Sequence, residues 1–291
     1  MFSASDVKNL REKTGAGMLD CKKALEACSG NIDAAIDWLR EKGIAKAQKK
    51  ADRIAAEGLA NIYIKDNDAI VMEINCETDF VANNPTFVEF VDKIGNAILE
   101  NGTSDEKEAM QIMVDGETIE NQIINFTAKI GEKISFRRFT KLTKKDNMVF
   151  GSYIHMSGRI ASLVMVEGVD QNVAREVSMH AAAMRPLYLN EGCVPSDVLD
   201  REKEIMRQEL LNEGKPADRI DNILVGKVRK YYEEVCLENQ IFVKAENKET
   251  VGKYLANNNS KLVNMVRYEV GEGMEKRNDD FASEVMSQIN G

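Results

Sequence analysis

The chain has 291 residues, 43% of them apolar and 30% charged, with a formal net charge of −9. This length allows about two domains, and no apolar run approaches the ~18 residues that a bilayer crossing needs. The acidity opposes long-range attraction to nucleic acid, and five cysteines without a Cys-x-x-Cys pair argue against a disulfide framework or a structural zinc site.

The first residues, Met1-Phe2-Ser3-Ala4-Ser5-Asp6, lack the basic start and apolar stretch of a secretion signal, so a cytoplasmic protein is expected. Three short helices follow. Ser5-Asp6 can cap one that carries Val7 and Leu10, and Thr14-Gly15-Ala16-Gly17 breaks it. The second places Met18, Cys21, Ala24 and Leu25 on one face. Ser29-Gly30-Asn31 stops it and caps a third with Ile32, Ile36 and Leu39, for which Gly43 can supply the left-handed closing residue. So small a bundle has a marginal core and suits binding better than catalysis. Its end is basic, with Lys42, Lys46, Lys49, Lys50 and Arg53, and a second cluster holds Arg137, Arg138, Lys141, Lys144 and Lys145. Such clusters are solvated faces or a docking patch for an acidic protein, the former being the commoner case.

An α+β region comes next. Residues 59–65 and 69–75 are strand-like and joined by Asp66-Asn67-Asp68, with Ile70, Met72 and Ile74 alternating with Val71 and Glu73. Asn84-Pro85 can cap and open a helix whose stripe is Phe87, Phe90, Val91, Ile94 and Ile98. Helical stretches at 104–114 and 117–130 precede strands at 134–139, 148–155 and 160–167. A helix then carries Val173, Val177, His180 and Met184. Hairpin, loop and helix recur from Leu59 and from Met148, which suggests a duplicated unit. The second copy has a polar loop at 168–172; the first has the longer 76–84, containing Thr78-Asp79-Phe80-Val81.

Pro195-Ser196-Asp197 opens a long helix and Gly214-Lys215-Pro216 turns the chain into a second, ending near Val235. Their narrow apolar stripes and charged outer faces predict an antiparallel, coiled-coil-like hairpin. Strands at 240–243 and 263–270, and a last helix with Phe281, Val285 and Ile289, complete the chain. The fold class is α+β: a three-helix module at 1–53, a first core subdomain at 54–147, and a second at 148–190 and 236–265. The helical hairpin at 191–235 is an insertion, and 266–291 is a C-terminal module.

Catalytic chemistry has weak support. Gly15-Ala16-Gly17 and Gly271-Glu272-Gly273 lack the Gly-Lys-Ser/Thr ending of a phosphate loop, so no nucleotide, cofactor or metal site is expected. His180 sits on an apolar stripe, as a core imidazole does; His155 ends a strand. Cys76 can be a thiolate nucleophile only with a histidine that no spacing supplies. Thr78 and Asp79 can cap a turn. Phe80 lies seven residues before Phe87, a spacing that favours the core, while Pro85 interrupts helical continuity; the competing placement is a ring mounted on a binding loop.

These residues carry a family resemblance. Leu10-Arg11-Glu12-Lys13-Thr14-Gly15-Ala16-Gly17-Met18 with Asp20-Cys21-Lys22-Lys23-Ala24-Leu25 is similar to the N-terminal signature of the elongation factor Ts family, and Asn75-Cys76-Glu77-Thr78-Asp79-Phe80-Val81-Ala82 resembles its second signature. Gly151-Ser152-Tyr153-Ile154-His155 and Arg267-Tyr268-Glu269-Val270-Gly271-Glu272-Gly273 match as well, in family order. The resemblance implies a ubiquitin-associated-like N-terminal module. It also implies a non-enzymatic guanine-nucleotide exchange factor of translation elongation, whose partner is elongation factor Tu, GDP-bound and nucleotide-free.

By the same resemblance, Thr78, Asp79, Phe80 and Val81 form the segment that dislodges Mg²⁺ from the partner, with the Phe80 ring wedged into its G domain. Arg11, Met18, Lys22 and Lys50 match positions that touch that domain. Leu19 stands where some members have a second methionine. His155 matches a contact to the partner's third domain. Residues 101–117 match poorly and are assigned nothing. A homodimer through the hairpin or core stays open. The rival readings are a ribosome- or RNA-associated binding protein and a Cys76-dependent hydrolase; no membrane, direct nucleotide or nucleic-acid partner is expected.

Overall fold

Local capping decides where the first helices begin and end in the computed structural model, which describes residues 2–275. Helix α1, Ala4–Thr14, starts from Ser3, whose hydroxyl accepts from the Asp6 amide, while the Asp6 carboxylate accepts from the Ser3 amide at 2.8 Å. The cap is therefore Ser3 rather than Ser5-Asp6, because Asp6 stands at the third helical position where it closes a capping box. Gly15, at φ 66, ends α1. Helix α2 spans Met18–Ala27, and Asn31 caps α3, Ile32–Gln48. Val7, Leu10, Cys21, Ala24, Leu25 and Ala35 form the small shared core. Gly43 does not close α3, contrary to expectation. It is buried inside the helix, where an added Cβ would lie 3.5 Å from the Cβ of Ala128. The missing side chain serves close helix packing there, not termination.

Strands β1, Glu57–Lys65, and β2, Asp68–Cys76, are joined by Asp66-Asn67, with Asp66 in the left-handed region at φ 54. A two-residue connection makes the pair antiparallel. The one-turn helix α4, Asp79–Ala82, leads to α5, Pro85–Asn101, capped by the Asn84 side chain and closed by Gly102 at φ 82. Between them and the next long helix lie α6, Glu106–Gln111, and a small antiparallel hairpin of β3, Met113–Val114, and β4, Glu117–Thr118. Helix α7, Ile119–Ile130, packs against α3. Phe126 of α7 stacks on Phe90 of α5 with centroids 4.2 Å apart and meets Phe87 at 6.2 Å. Strand β5, Ser135–Thr143, completes a sheet of order β1-β2-β5.

The central place of β2 buries Glu73. Glu73 has no solvent exposure. Its Oε1 accepts from Arg137 at 2.8 Å, from the Asn75 amide at 3.1 Å and from the Gly271 N–H at 2.9 Å, and its Oε2 accepts from Arg138 Nε at 2.7 Å. A buried charge is tolerated when it is paired and its lone pairs are satisfied. Removing one member leaves the others uncompensated. Glu73→Ala is expected to lower stability by about 3 kcal/mol in chemical denaturation, and a variant as stable as the parent would refute the assignment.

The chain divides into two compact units, one of residues 2–63, 72–141 and 269–275 and one of 64–71 and 142–268. In the second, β6, Met148–His155, and β7, Ile160–Glu167, pair antiparallel from Met148↔Glu167 to His155↔Ile160. A 3₁₀ turn, Met156–Gly158, joins them. Helix α8, Gln171–Met184, is capped by Asp170 and lies so close to β6 that a Cβ on Gly151 would sit 2.1 Å from the Ala174 backbone. After a 3₁₀ turn, Glu191–Cys193, the expected helical hairpin is present as α9, Ser196–Asn212, and α10, Ala217–Val235. It buries Leu210, Ile220 and Leu224 and carries ion pairs Arg207–Asp221 at 2.7 Å and Lys227–Glu209 at 2.9 Å. Helix α11, Val251–Asn257, and β8, Lys261–Glu269, follow, giving the sheet order β6-β7-β8. The architecture is thus α+β. The helix expected around Phe281, Val285 and Ile289 lies outside the described residues.

The strand expected at 240–243 is not formed; only an isolated bridge, Ile241↔Thr250, occurs there. The Gln240 side chain explains the irregular path. Its amide donates to the carbonyls of Met184 and Glu234, and its Oε1 accepts from His180 Nε2 at 3.0 Å. His180 Nδ1 in turn accepts from the Val243 N–H at 3.1 Å. One nitrogen donates and the other accepts, which requires the neutral ring. Burial holds the His180 pKa below its ordinary 6.5. A lowered folded pKa means that the stabilisation is complete above pH 6.5 and is lost as pH falls through the lowered value. Denaturation midpoints are expected to drop on acidification below 6.5, with part of that drop absent in His180→Gln. An identical pH profile for the two proteins would exclude the role.

Candidate functional site

The end of β2 sets the geometry of the following loop. Cys76 is the last strand residue, fully buried, and its thiol donates to the Thr78 carbonyl at 3.2 Å. Thr78 is extended (φ −129, ψ 154) and caps α4, its hydroxyl accepting from the Val81 N–H at 3.3 Å. Ala82 is the one buried side chain of α4, and Asn83 folds back to the Asp79 carbonyl at 2.8 Å. Pro85 then begins α5 separately, since it lacks the N–H that a continuous helix would need.

This break decides the fate of Phe80. Phe87 is wholly buried, whereas Phe80 is 85% exposed. The seven-residue spacing that favoured a shared core position fails because Asn83-Asn84 separates α4 from α5. Asp79 is exposed as well, and Val81 is half-buried.

The loop is held from residues that no local pattern singles out. Glu132 Oε2 accepts from the Glu77 N–H at 3.1 Å and the Thr78 N–H at 3.0 Å, and its Oε1 accepts from the Thr78 hydroxyl at 2.6 Å. Glu77 Oε1 accepts from the Lys133 N–H at 2.6 Å and pairs with Arg53 at 3.3 Å. The Lys133 ammonium donates to the carbonyls of Ala51 and Arg53 at 2.6 and 3.0 Å, and Lys50 donates to the Gly131 carbonyl. Residues 131–133 therefore grip both the linker after α3 and the loop after β2. The only sequence signal for Glu132 was its place just past Gly131, where α7 stops.

The other expected site residues divide between the units. Arg11 and Lys22 are exposed on the three-helix module, Lys22 in a weak 3.8 Å pair with Glu26. Met18 and Leu19 open α2 with 49% and 75% exposure, an apolar surface for which the module provides no cover. Lys50 is half-buried and engaged with Gly131, and desolvation lowers its pKa. His155 lies in the second unit, exposed at the end of β6, with Tyr153 Oη 3.2 Å from its Nδ1.

Much of the two basic clusters is occupied internally. Lys46 pairs with Asp20 at 2.8 Å, Arg53 with Glu77, Arg137 and Arg138 with Glu73, and Lys141 donates to the Gly102 carbonyl at 2.8 Å. Lys49, by contrast, is exposed on the last turn of the three-helix module.

The thiolate reading of Cys76 fails on burial. Burial, with Glu132 next in effect, pushes its pKa well above the usual thiol range, so it stays protonated at neutral pH. Cys193 is exposed, while Cys21, Cys76 and Cys236 are buried. A thiol reagent should label Cys193 at once and those three only on denaturation. Rapid labelling of Cys76 in the folded protein would contradict this.

In a comparison with known proteins, the sequence model of a protein family described as Elongation factor TS matches residues 77–272, which is more than half of the chain and includes the loop and His155 but not the three-helix module.

Proposed function

Because the chain belongs to the elongation factor Ts family of translation elongation factors, we propose that it binds elongation factor Tu and accelerates GDP release there, carrying out no bond chemistry of its own. The observation that carries this reading is Phe80, 85% exposed on a turn whose first residues are anchored by Glu132. Leaving such a ring in water forgoes about 2 kcal/mol of burial. A partner pocket that accepts the ring recovers it.

The mechanism follows from electrostatics. In the partner, Mg²⁺ offsets the charge of the nucleotide phosphates. Phe80 enters beside the metal site and displaces the groups that hold the ion, with Asp79 alongside as a carboxylate that disfavours bound anions. Nucleotide affinity falls without a covalent step. Coupling of this kind is reciprocal, so incoming nucleotide weakens the factor's grip by the same free energy. That reciprocity returns the factor for another round.

The N-terminal module offers a second contact through Arg11, Met18, Leu19 and Lys22, and His155 a third. Met18 and Leu19 supply the apolar part and the two cations the orientation. Lys50 contributes by fastening the linker to Gly131, and meets the partner only by exchanging that carbonyl. The site of action is the cytoplasm, where translation runs.

An interfacial aromatic anchor contributes ~2 kcal/mol, so Phe80→Ala is expected to slow stimulated release of labelled GDP by about thirtyfold. The melting temperature should not change, since the ring packs against little of its own protein. Release at the parental rate by a folded Phe80→Ala protein would overturn the wedge, and absence of stimulated release with the parental chain would overturn the exchange-factor proposal.

A further inference from the structure

We propose that Glu132 is the positioning residue that holds the turn bearing Phe80 in the shape its partner meets; this rests on the exchange-factor reading above. Glu77 and Thr78 lie between the last residue of β2 and the first of α4. Backbone N–H groups in such a joint have neither a strand ladder nor a helix to supply acceptors. Glu132 supplies one for both, at 3.1 and 3.0 Å, and its second oxygen takes the Thr78 hydroxyl proton at 2.6 Å. With its proton committed to Glu132, the hydroxyl presents a lone pair to the Val81 N–H. The carboxylate therefore orients the cap that winds α4.

The clamp is reciprocal. Glu77 returns a carboxylate to the Lys133 N–H at 2.6 Å, so two adjacent residues of each segment hold one another. Packing adds little, because Ala82 alone is buried among the residues of α4. Bonds to a charged acceptor are the strong kind, and they are what fixes the direction of the Phe80 ring. Losing them frees the ring to sample other directions, of which few enter the partner. Glu132 itself need not touch the partner.

The test uses the full chain, elongation factor Tu loaded with labelled GDP, and amide hydrogen exchange across residues 77–83. Glu132→Ala should lose protection at Glu77 and Thr78 and release GDP about tenfold more slowly even at saturating factor. Glu132→Gln, whose amide oxygen still accepts the two N–H groups but whose NH2 cannot take the Thr78 hydroxyl proton, should recover only part of both. In a Phe80→Ala background, Glu132→Ala should cause no further loss, because its effect passes through the ring. Parental release rates in Glu132→Ala despite lost protection, or a loss that multiplies with that of Phe80→Ala, would overturn the inference. The unaltered chain reports on the exchange-factor reading: absence of stimulated GDP release with it would overturn that reading, whereas a parental rate in Phe80→Ala beside a slow Glu132→Ala would leave exchange standing and overturn this inference.

Discussion

A carboxylate without solvent contact, Glu73, is the constraint on which the first unit depends. Four donors converge on it: two guanidinium groups of β5, an amide two residues along its own strand, and the backbone N–H of Gly271. A charge in that position is costly unless every partner arrives together. The same condition gives the sheet its specificity. A register shift of one residue would turn Glu73 to the opposite face, stranding Arg137 and Arg138. The register of β2 is thereby set, and with it the place where Cys76 ends the strand and the loop begins.

A second carboxylate repeats the arrangement nearer the surface. Glu132 gathers the donors that β2 leaves over when it stops. From Glu73 to Phe80 the chain runs from complete burial to near-complete exposure within eight positions. That gradient is steep for a phenylalanine, and polar anchoring rather than apolar packing sustains it. The exchange-factor proposal requires this combination of a rigid root and an exposed ring. A loop packed by its own side chains would have drawn the ring inward.

The distribution of charge follows similar logic. The chain carries 39 basic residues against 48 acidic ones, and many of the clustered cations are spent on internal carboxylates and carbonyls. Arg137 and Arg138 hold the sheet, and Arg53 and Lys133 hold the linker and the loop. Among the outward-facing residues of the three-helix module are the apolar Met18 and Leu19 and the basic Arg11 and Lys22. A surface of that kind fits a protein surface better than a phosphate backbone, since apolar area contributes where water is excluded.

Periodicity and punctuation were enough to read most of the longer helices, the two hairpins and the α+β class, because an amphipathic stripe and a Gly, Pro or Asn boundary act over a few neighbouring residues. The short α4 and α11 were not read, and the stretch expected to be helical to 114 ends at Gln111 before β3. The same signals also identified His180 as a core ring and the helical hairpin between Pro195 and Val235. Residues that depend on distant partners were misread or missed. Gly43 looked like a terminator and 240–243 like a strand, while the partners of Glu73 and Glu132 went unread. Each is decided by contacts with residues tens of positions away, such as Arg137, Ala128, His180 and Thr78. Phe80 is the clearest division between the two kinds of information. Its type and its place before Pro85 are properties of the sequence, but whether the ring is buried or free depends on how the turn is held, and the hydrogen bonds that hold it come from the far side of α7.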